Sequence, residues 1–153
     1  MTIEEIIAHL EELGGVLVLR PGPGAGSPQV SWGDTYFYYA PDGVTPKAGQ
    51  PFATVVTKNY PGDEASRLDR PGAFRVNMAP GREAFTHWTT TASSPSPADP
   101  STPDTVLPHP VYAEAGWLAV VNPGPRTAAA LRDLLTTAHH LARARHERRR
   151  AGS

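Results

Sequence analysis

The sequence predicts an α+β fold: a mainly antiparallel sheet of about five strands, with an N-terminal and a C-terminal helix packed on one face. Short β-rich segments follow one another with turn signals between them, which favours antiparallel pairing. Clear helical periodicity is found near the two ends of the chain, and both terminal helices carry an apolar stripe. Because both stripes need covering, one face of the sheet is expected to lie beneath both helices.

The length and composition are typical of one domain, predicted at 1–150. Cysteine is absent, which excludes a disulfide framework and a Cys-ligated zinc site. No apolar run approaches the roughly 20 residues that a membrane-spanning helix needs. The N-terminus lacks the basic and apolar regions of a signal peptide. We therefore expect a cytoplasmic protein, a monomer or homodimer, with no membrane partner.

The first element is an amphipathic helix that Thr2 and Glu5 begin, because their spacing is that of a capping box. Its apolar stripe recurs at helical spacing and consists of Ile3, Ile6, Ile7, Leu10 and Leu13. The pair at 14–15 is Gly-Gly, which ends the helix.

Four strands are predicted next, each rich in β-branched or aromatic residues and followed by a Gly- or Pro-containing turn or loop. They lie at 16–19, 30–40, 52–57 and 74–78. Between the last two strands, Asp63 is predicted to cap a short helix that runs through Leu68. Asp63 and Glu64 are therefore interpreted as a helix start rather than as an acid/base pair.

The second half of the chain contains a predicted insertion at 89–104, whose Thr, Ser, Pro and Asp content cannot bury enough apolar surface to order it. The other elements are a short helix at 81–88, an edge strand or extended segment at 109–112, a core strand at 116–121 and a long helix that opens at Thr127. Trp117 is predicted to be buried, and the strand that carries it is predicted to pack against the leucines of the last helix.

The net charge of −1 hides a basic C-terminal tail at 143–153. Residues 143–150 hold five Arg and one Glu, a balance of +4, so the rest of the chain sums to −1 − 4 = −5. Such an end could bind phosphate, but cations at a helix C-terminus also complement the helix dipole, and we favour that interpretation. The acidic body does not favour nucleic-acid binding, which needs several Lys or Arg on one face.

The aromatic strand at 30–40 is the most suggestive segment for function. In a strand, Trp32, Asp34, Tyr36 and Tyr38 share one face, and three aromatic rings with a carboxylate suit a small-molecule site. The alternative is a sheet covered by helices on its other face, with the edges of the tyrosines exposed to water on this one.

Three titratable residues, each beside an aromatic residue, are predicted to form a functional cleft. They are Asp34, Lys58 and His109; Tyr60 follows Lys58, and Tyr112 follows His109. Aromatic walls lower the local dielectric and strengthen polar contacts. The competing interpretation is that Asp34 and Lys58 form a structural ion pair.

The sequence indicates no metal site and no cofactor. The six His residues lack the three- or four-residue spacing of two ligands on one helix. The glycines at 22, 24 and 26 precede a predicted strand, whereas a dinucleotide fingerprint precedes a helix. The arginines at 67, 70 and 75 are close enough in sequence to assist with an anion.

Several motifs resemble an uncharacterised actinobacterial family of unknown function. They are Trp-Gly-Asp at 32–34, the segments 51–58, 60–63 and 68–70, His-Pro-Val-Tyr at 109–112 and the segment 116–124. More weakly, the chain resembles the MmcQ/YjbR-like proteins in its Gly-Asp strand, its Phe-Ala strand leading to Lys, its late His and Trp and its final helix. That resemblance implies a helix–sheet–helix fold like that of CyaY and a proposed DNA-binding role.

Two classes of function follow from the residues. The first is a binding module for a small molecule or a protein, which would use the aromatic face and the end of the strand that carries Lys58. The second is an enzyme acting on a small metabolite, with His109, Asp34 or Lys58 as acid/base groups. A binding module tolerates the loss of one titratable group, whereas an acid/base enzyme does not.

Overall fold

The computed structural model describes residues 1–24, 29–46, 49–90 and 99–152. The helices are α1 (Ile3–Leu13), α2 (Arg82–Thr90) and α3 (Ala128–Ala151). The strands are β1 (Val16–Leu19), β2 (Thr35–Tyr39), β3 (Ala53–Val56), β4 (Arg75–Met78), β5 (Val106–Pro108) and β6 (Leu118–Val121). Across these four ranges, no helix has the length and apolar character needed to span a bilayer.

Six strands of the described chain form one sheet in the order β1-β2-β3-β4-β6-β5, and every neighbouring pair is antiparallel. The predicted α+β class is therefore confirmed, with six strands where about five were expected. Strands β1 to β4 lie side by side in chain order. Each is joined to the next by a turn or loop that contains no further strand. Strand β6 pairs with β4 rather than with β3, and β5 lies at the edge beside β6.

The main core lies between one face of the sheet and the two terminal helices. Its strand residues alternate along the chain and are Phe37, Ala53, Val55, Val76, Met78, Leu118 and Val120. Its helix residues are Ile6, Ile7, Leu10, Leu131, Leu134, Leu135 and Ala138. The opposite sheet face carries no terminal helix, and we call it the open face. A smaller apolar cluster of Val56, Leu68, Ala73 and Val121 covers one part of it.

Helix α1 forms as its sequence predicts. The side chain of Thr2 accepts the backbone N–H of Glu5, and the Glu5 carboxylate accepts the backbone N–H of Thr2. Gly14 ends the helix with a φ of 88°, a backbone conformation that favours glycine.

Helix α3 is capped by a residue that is distant in sequence. Its N-cap residue, Thr127, makes no side-chain capping bond. The carboxylate of Asp104 instead accepts the backbone N–H groups of Gly124, Arg126 and Thr127 and the hydroxyl of Thr127. Burial alone would raise the pKa of Asp104, but these four hydrogen bonds outweigh burial and lower its pKa to about 2.

The predicted strand at 30–40 is wrong in its first half. Residues Gln29–Ser31 form a short 3-10 helix, and Gly33 turns the chain with a φ of 89°. The backbone N–H of Asp34 bonds the carbonyl of Ser31, so the chain is still turning there and β2 begins one residue later. Trp32 therefore does not share a strand face with Tyr36.

The predicted helix from Asp63 to Leu68 is also wrong. Asp63 pairs in an isolated bridge with Tyr60, and Arg67 has a φ of 56°, which a helix does not allow. The Asp63 carboxylate cannot cap a helix because it accepts two hydrogen bonds from Arg75. A long-range ion pair thus replaces the local cap that the sequence favours.

The remaining differences lie in the second half. The edge strand is β5, which ends at Pro108, so 109–112 leaves the sheet. Trp117 precedes β6 and is half-buried, not buried as predicted. The basic residues at 143–150 belong to α3, which continues to Ala151. The centre of the predicted insertion, 91–98, lies outside the described residues.

Candidate functional site

A cavity of about 620 Å³ lies on the open face of the sheet, and we call it the open-face cavity. Its floor contains a row across three strands, because Tyr36 pairs with Thr54 and Thr54 pairs with Asn77. Arg75 lies two residues before Asn77 on β4 and therefore faces the same side. Val76 lies between them and points into the main core.

Aromatic side chains from separate segments also line this cavity. Tyr60 comes from the turn after β3, Tyr112 from the segment after β5, and Trp117 from the residue before β6. The ring of Tyr112 lies 4.9 Å from that of His109, measured between centroids. Rings of this kind offer large apolar contact area together with polar edges.

Arg75 is the central polar group of the floor and is only 2% exposed. Its Nη1 and Nη2 donate to the two carboxylate oxygens of Asp63 at 2.9 and 2.6 Å. Its Nε donates to Oδ1 of Asn77 at 2.7 Å, and Nη1 also donates to the hydroxyl of Ser66 at 2.9 Å. The two-pronged pairing neutralises the guanidinium and fixes its plane.

The charges of this cluster shift two pKa values. Burial alone would raise the pKa of Asp63, but the hydrogen bonds and positive charge of Arg75 hold it below its usual range. Burial and the neighbouring charge of Arg75 lower the pKa of His109 to about 4. At neutral pH the cluster therefore contains one cation, one anion and one neutral imidazole.

His109 is 3% exposed and is held from both sides. Its Nδ1 accepts the backbone N–H groups of Val111 and Tyr112, each at 3.0 Å. Its Nε2 lies 3.2 Å from Nη2 of Arg75. The two backbone bonds form the tight turn that takes the chain away from β5.

Asp34 organises a second polar cluster beside the cavity. It is 1% exposed and accepts the backbone N–H and the hydroxyl of Thr57, at 2.8 and 3.0 Å. It also accepts the hydroxyl of Tyr60 and pairs with Nζ of Lys58 at 3.0 Å. Burial and the bond to Asp34 raise the pKa of Tyr60 well above its usual range. Four donors thus satisfy this carboxylate within the fold.

Lys58 bridges this cluster to the turn before β2. Its Nζ donates to the backbone carbonyl of Trp32 at 2.6 Å as well as pairing with Asp34. It also lies 5.7 Å from the centre of the Tyr60 ring. The ion pair considered at the sequence level therefore forms, and it anchors the turn at Gly33 to the end of β3.

The predicted site residues divide into two groups. Those that line the open-face cavity are Tyr36, Tyr60, His109 and Tyr112. Those that do not line it are Trp32, Asp34, Tyr38 and Lys58. Tyr60 connects the groups, because its ring lines the cavity and its hydroxyl bonds Asp34.

Sequence reasoning missed the Arg75–Asp63 pair, Asn77 and Trp117 as cavity residues. One signal for Arg75 was available, because a charged residue in a central strand needs a partner of opposite charge when it is buried, and its neighbour Asn77 carries none. Nothing in the sequence indicated that Asp63 is this partner, since Asp63 also fits the pattern of a helix cap.

A larger depression of about 800 Å³ lies between α2 and α3. Its charged lining residues include Arg82, Glu83 and Asp133, and all three are exposed. The open-face cavity instead contains buried polar groups, so we regard it as the candidate site. Among the described residues, no group of three or more His, Asp or Glu side chains could hold a metal ion.

The chain matches one protein family. Residues 1–151 match a family model described as "Family of unknown function (DUF6194)". No curated protein and no solved structure matches the chain significantly. The predicted resemblance to a family of unknown function is confirmed by this match, which spans almost the whole chain. The actinobacterial origin and the link to MmcQ/YjbR-like proteins stay predictions.

Proposed function

We propose that this chain, which belongs to the DUF6194 family of unknown function, is a binding module that holds a small molecule in the open-face cavity. One observation carries the proposal: the ion pair of buried Arg75 with the mostly buried Asp63 forms part of the floor of a cavity with aromatic walls. A buried ion pair is a poor way to stabilise a fold, since apolar residues of similar volume often do as well or better.

The walls and floor of the cavity have complementary roles. Tyr36, Tyr60, Tyr112 and Trp117 supply apolar contact area, as expected of a small-molecule site. The polar groups of the floor are few and are held by other side chains, so they would orient a ligand without first rearranging. Asn77 shows this, because Arg75 bonds its Oδ1 and its Nδ2 donates to a neighbouring strand.

The geometry favours binding over acid/base catalysis on a metabolite. A general base needs a lone pair that can reach the substrate. The carboxylate of Asp34 accepts four donors, and Nδ1 of His109 accepts two backbone N–H groups. Lys58 is held by Asp34 and by a backbone carbonyl. All three groups considered for catalysis thus have structural partners.

A fragment screen followed by NMR mapping tests the proposed function. Compounds that bind should raise the melting temperature and should shift backbone resonances around the cavity. Tyr112→Ala removes a wall that is 57% exposed, so it should weaken binding while leaving the fold intact. The control is Val44→Ala, which changes a residue that is 63% exposed and does not line the cavity. Binding that maps to the depression between α2 and α3 would refute the proposal.

We also propose where the protein is found and what it binds besides the ligand. We expect a cytoplasmic protein that is a monomer or homodimer, uses no cofactor and does not bind nucleic acid. The Arg residues of α3 that lie in its last turn, Arg148, Arg149 and Arg150, are placed where cations complement the helix dipole. Their position offers a reason for the basic end that does not require a phosphate partner.

A further inference from the structure

The hydrogen bonds of His109 determine where its ring proton lies. Val111 and Tyr112 both point backbone N–H groups at Nδ1, and Arg75 points Nη2 at Nε2. A neutral imidazole has one N–H and one acceptor nitrogen, so it cannot accept at both positions. A proton on Nδ1 would break both backbone bonds, whereas a proton on Nε2 disturbs a single contact. The proton therefore lies on Nε2.

With this tautomer, two hydrogen-bond donors face each other on the cavity floor. Nε2–H of His109 and Nη2 of Arg75 are 3.2 Å apart, and both side chains are at least nine-tenths buried. Within the described parts of the chain, the polar partner of Nε2 of His109 is this nitrogen of Arg75, and no oxygen accepts from it. An oxygen atom within hydrogen-bond distance of both nitrogens would accept from both. The floor thus has a place for a ligand oxygen.

The charge balance indicates that this oxygen belongs to a neutral group. Both carboxylate oxygens of Asp63 already bond Arg75, at 2.9 and 2.6 Å. A ligand carboxylate or phosphate would share the same guanidinium and would lie beside the negative charge of Asp63, which repels it. A carbonyl oxygen accepts two hydrogen bonds and brings no charge.

The walls indicate the shape of the ligand. Tyr60, Tyr112 and Trp117 present aromatic side chains to the cavity, and such surfaces prefer stacked or edge-to-face contact with flat rings. Resting on the proposed function, we infer that the ligand is a neutral, planar ring compound with a carbonyl oxygen bound between His109 and Arg75.

Three probes of similar size distinguish the possible classes of ligand: benzamide, benzoate and toluene. They present to the protein a neutral carbonyl, an anionic carboxylate and no oxygen, respectively. Titration of the full chain followed by NMR gives each dissociation constant and the residues contacted. We expect benzamide to bind at least about 3- to 10-fold more tightly than toluene, since one neutral hydrogen bond provides that range and the second donor, Arg75, is charged. Benzoate should bind more weakly than benzamide.

Two variants at one position test the role of the ring proton. His109→Asn places an amide oxygen near the position of Nδ1, so it keeps an acceptor for the backbone of 111–112 and loses the Nε2 donor. His109→Gln places an amide nitrogen near the position of Nε2, so it keeps a donor toward the cavity. His109→Asn should remove the preference for benzamide over toluene, and His109→Gln should retain it.

The outcomes separate this inference from the function on which it rests. If none of the probes contacts the cavity, the proposed function fails and the inference fails with it. If the probes bind in the cavity without a preference for benzamide, or if benzoate binds best, only the ligand class is refuted. Long-range ¹H–¹⁵N spectra of the wild-type imidazole give a test that needs no variant. A proton found on Nδ1 of His109 overturns the inference.

Discussion

Replacing Asp63 with Asn should strongly destabilise the fold, because it removes the counter-charge of a buried arginine. Arg75 is 2% exposed, and two of its hydrogen bonds end on Asp63. Its bonds to Asn77 and Ser66 would remain, but neither residue carries a charge. Breaking a buried ion pair by removing one partner costs about 3–5 kcal/mol. The Asp63 side chain is 13% exposed, which places the expected loss near the lower end, about 3 kcal/mol.

Urea unfolding followed by circular dichroism measures this loss. The matched control is Arg20→Gln, which breaks the ion pair of Arg20 and Glu4 at a similar 3.0 Å but with side chains 53% and 72% exposed. An exposed pair contributes about 0–1 kcal/mol, so this control should remain close to the wild type. The double variant Asp63→Asn with Arg75→Met should be no less stable than Asp63→Asn alone, since it leaves no unpaired charge.

The pH dependence gives a second test of the same reasoning. The folded-state pKa of Asp63 lies below its ordinary value of 3.8. The ion pair therefore stabilises the fold fully above that value and loses its effect as the pH falls through the lower folded-state pKa. The stability difference between wild type and Asp63→Asn should shrink in that acidic range. A loss under about 1 kcal/mol at neutral pH would refute the claim that Arg75 depends on this partner.

Three further predictions follow from other parts of the fold. Asp104→Ala removes the cap of α3 and should lower the free energy of unfolding in urea by about 1–2 kcal/mol. The stabilisation by Asp104 in the wild type should be complete above its ordinary pKa of 3.8 and should fade as the pH approaches about 2. Gly15→Ala should destabilise the fold by about 1–3 kcal/mol more than Gly43→Ala does. Both glycines have positive φ, but a Cβ at 15 would lie 2.6 Å from the ring of Tyr39, whereas 43 faces open space; equal losses in chemical denaturation would contradict this. In an NMR titration, His109 should take up its proton near pH 4. The free energy of unfolding should fall as the pH drops from about 6.5 toward 4, because the unfolded chain takes up this proton at a higher pH than the folded chain does. A midpoint near 6.5 would show that the ring is hydrated.

Local signals were sufficient where a few neighbouring residues decide the structure. The capping box of Thr2 and Glu5 lies within four residues, so the start of α1 could be read directly. The alternation along 74–78 placed Val76 on one face and Arg75 on the other, as the structure has them. Alternation along β2 likewise places Phe37 in the main core and Tyr36 on the open face.

Local signals failed where a distant residue competes for the same polar group. Asp63 has the residue type and position of a helix cap, but Arg75 lies 12 residues away and takes its carboxylate. Thr127 has the residue type of an N-cap, yet Asp104, 23 residues earlier, supplies the capping bonds. No periodicity encodes either partnership.

The sequence by itself determined the α+β class, the covering of one sheet face by the terminal helices and the aromatic character of β2. These features depend on periodicity and on residue type, which are properties of short segments. The tertiary structure alone decided that Asp34 would be satisfied within the fold, while Arg75 and His109 would meet on the floor of a cavity. Arg75 and His109 lie 34 residues apart, and such contacts depend on strand order. Strand order is set by how the whole chain buries its apolar surface, so the site emerges only when the sheet is assembled.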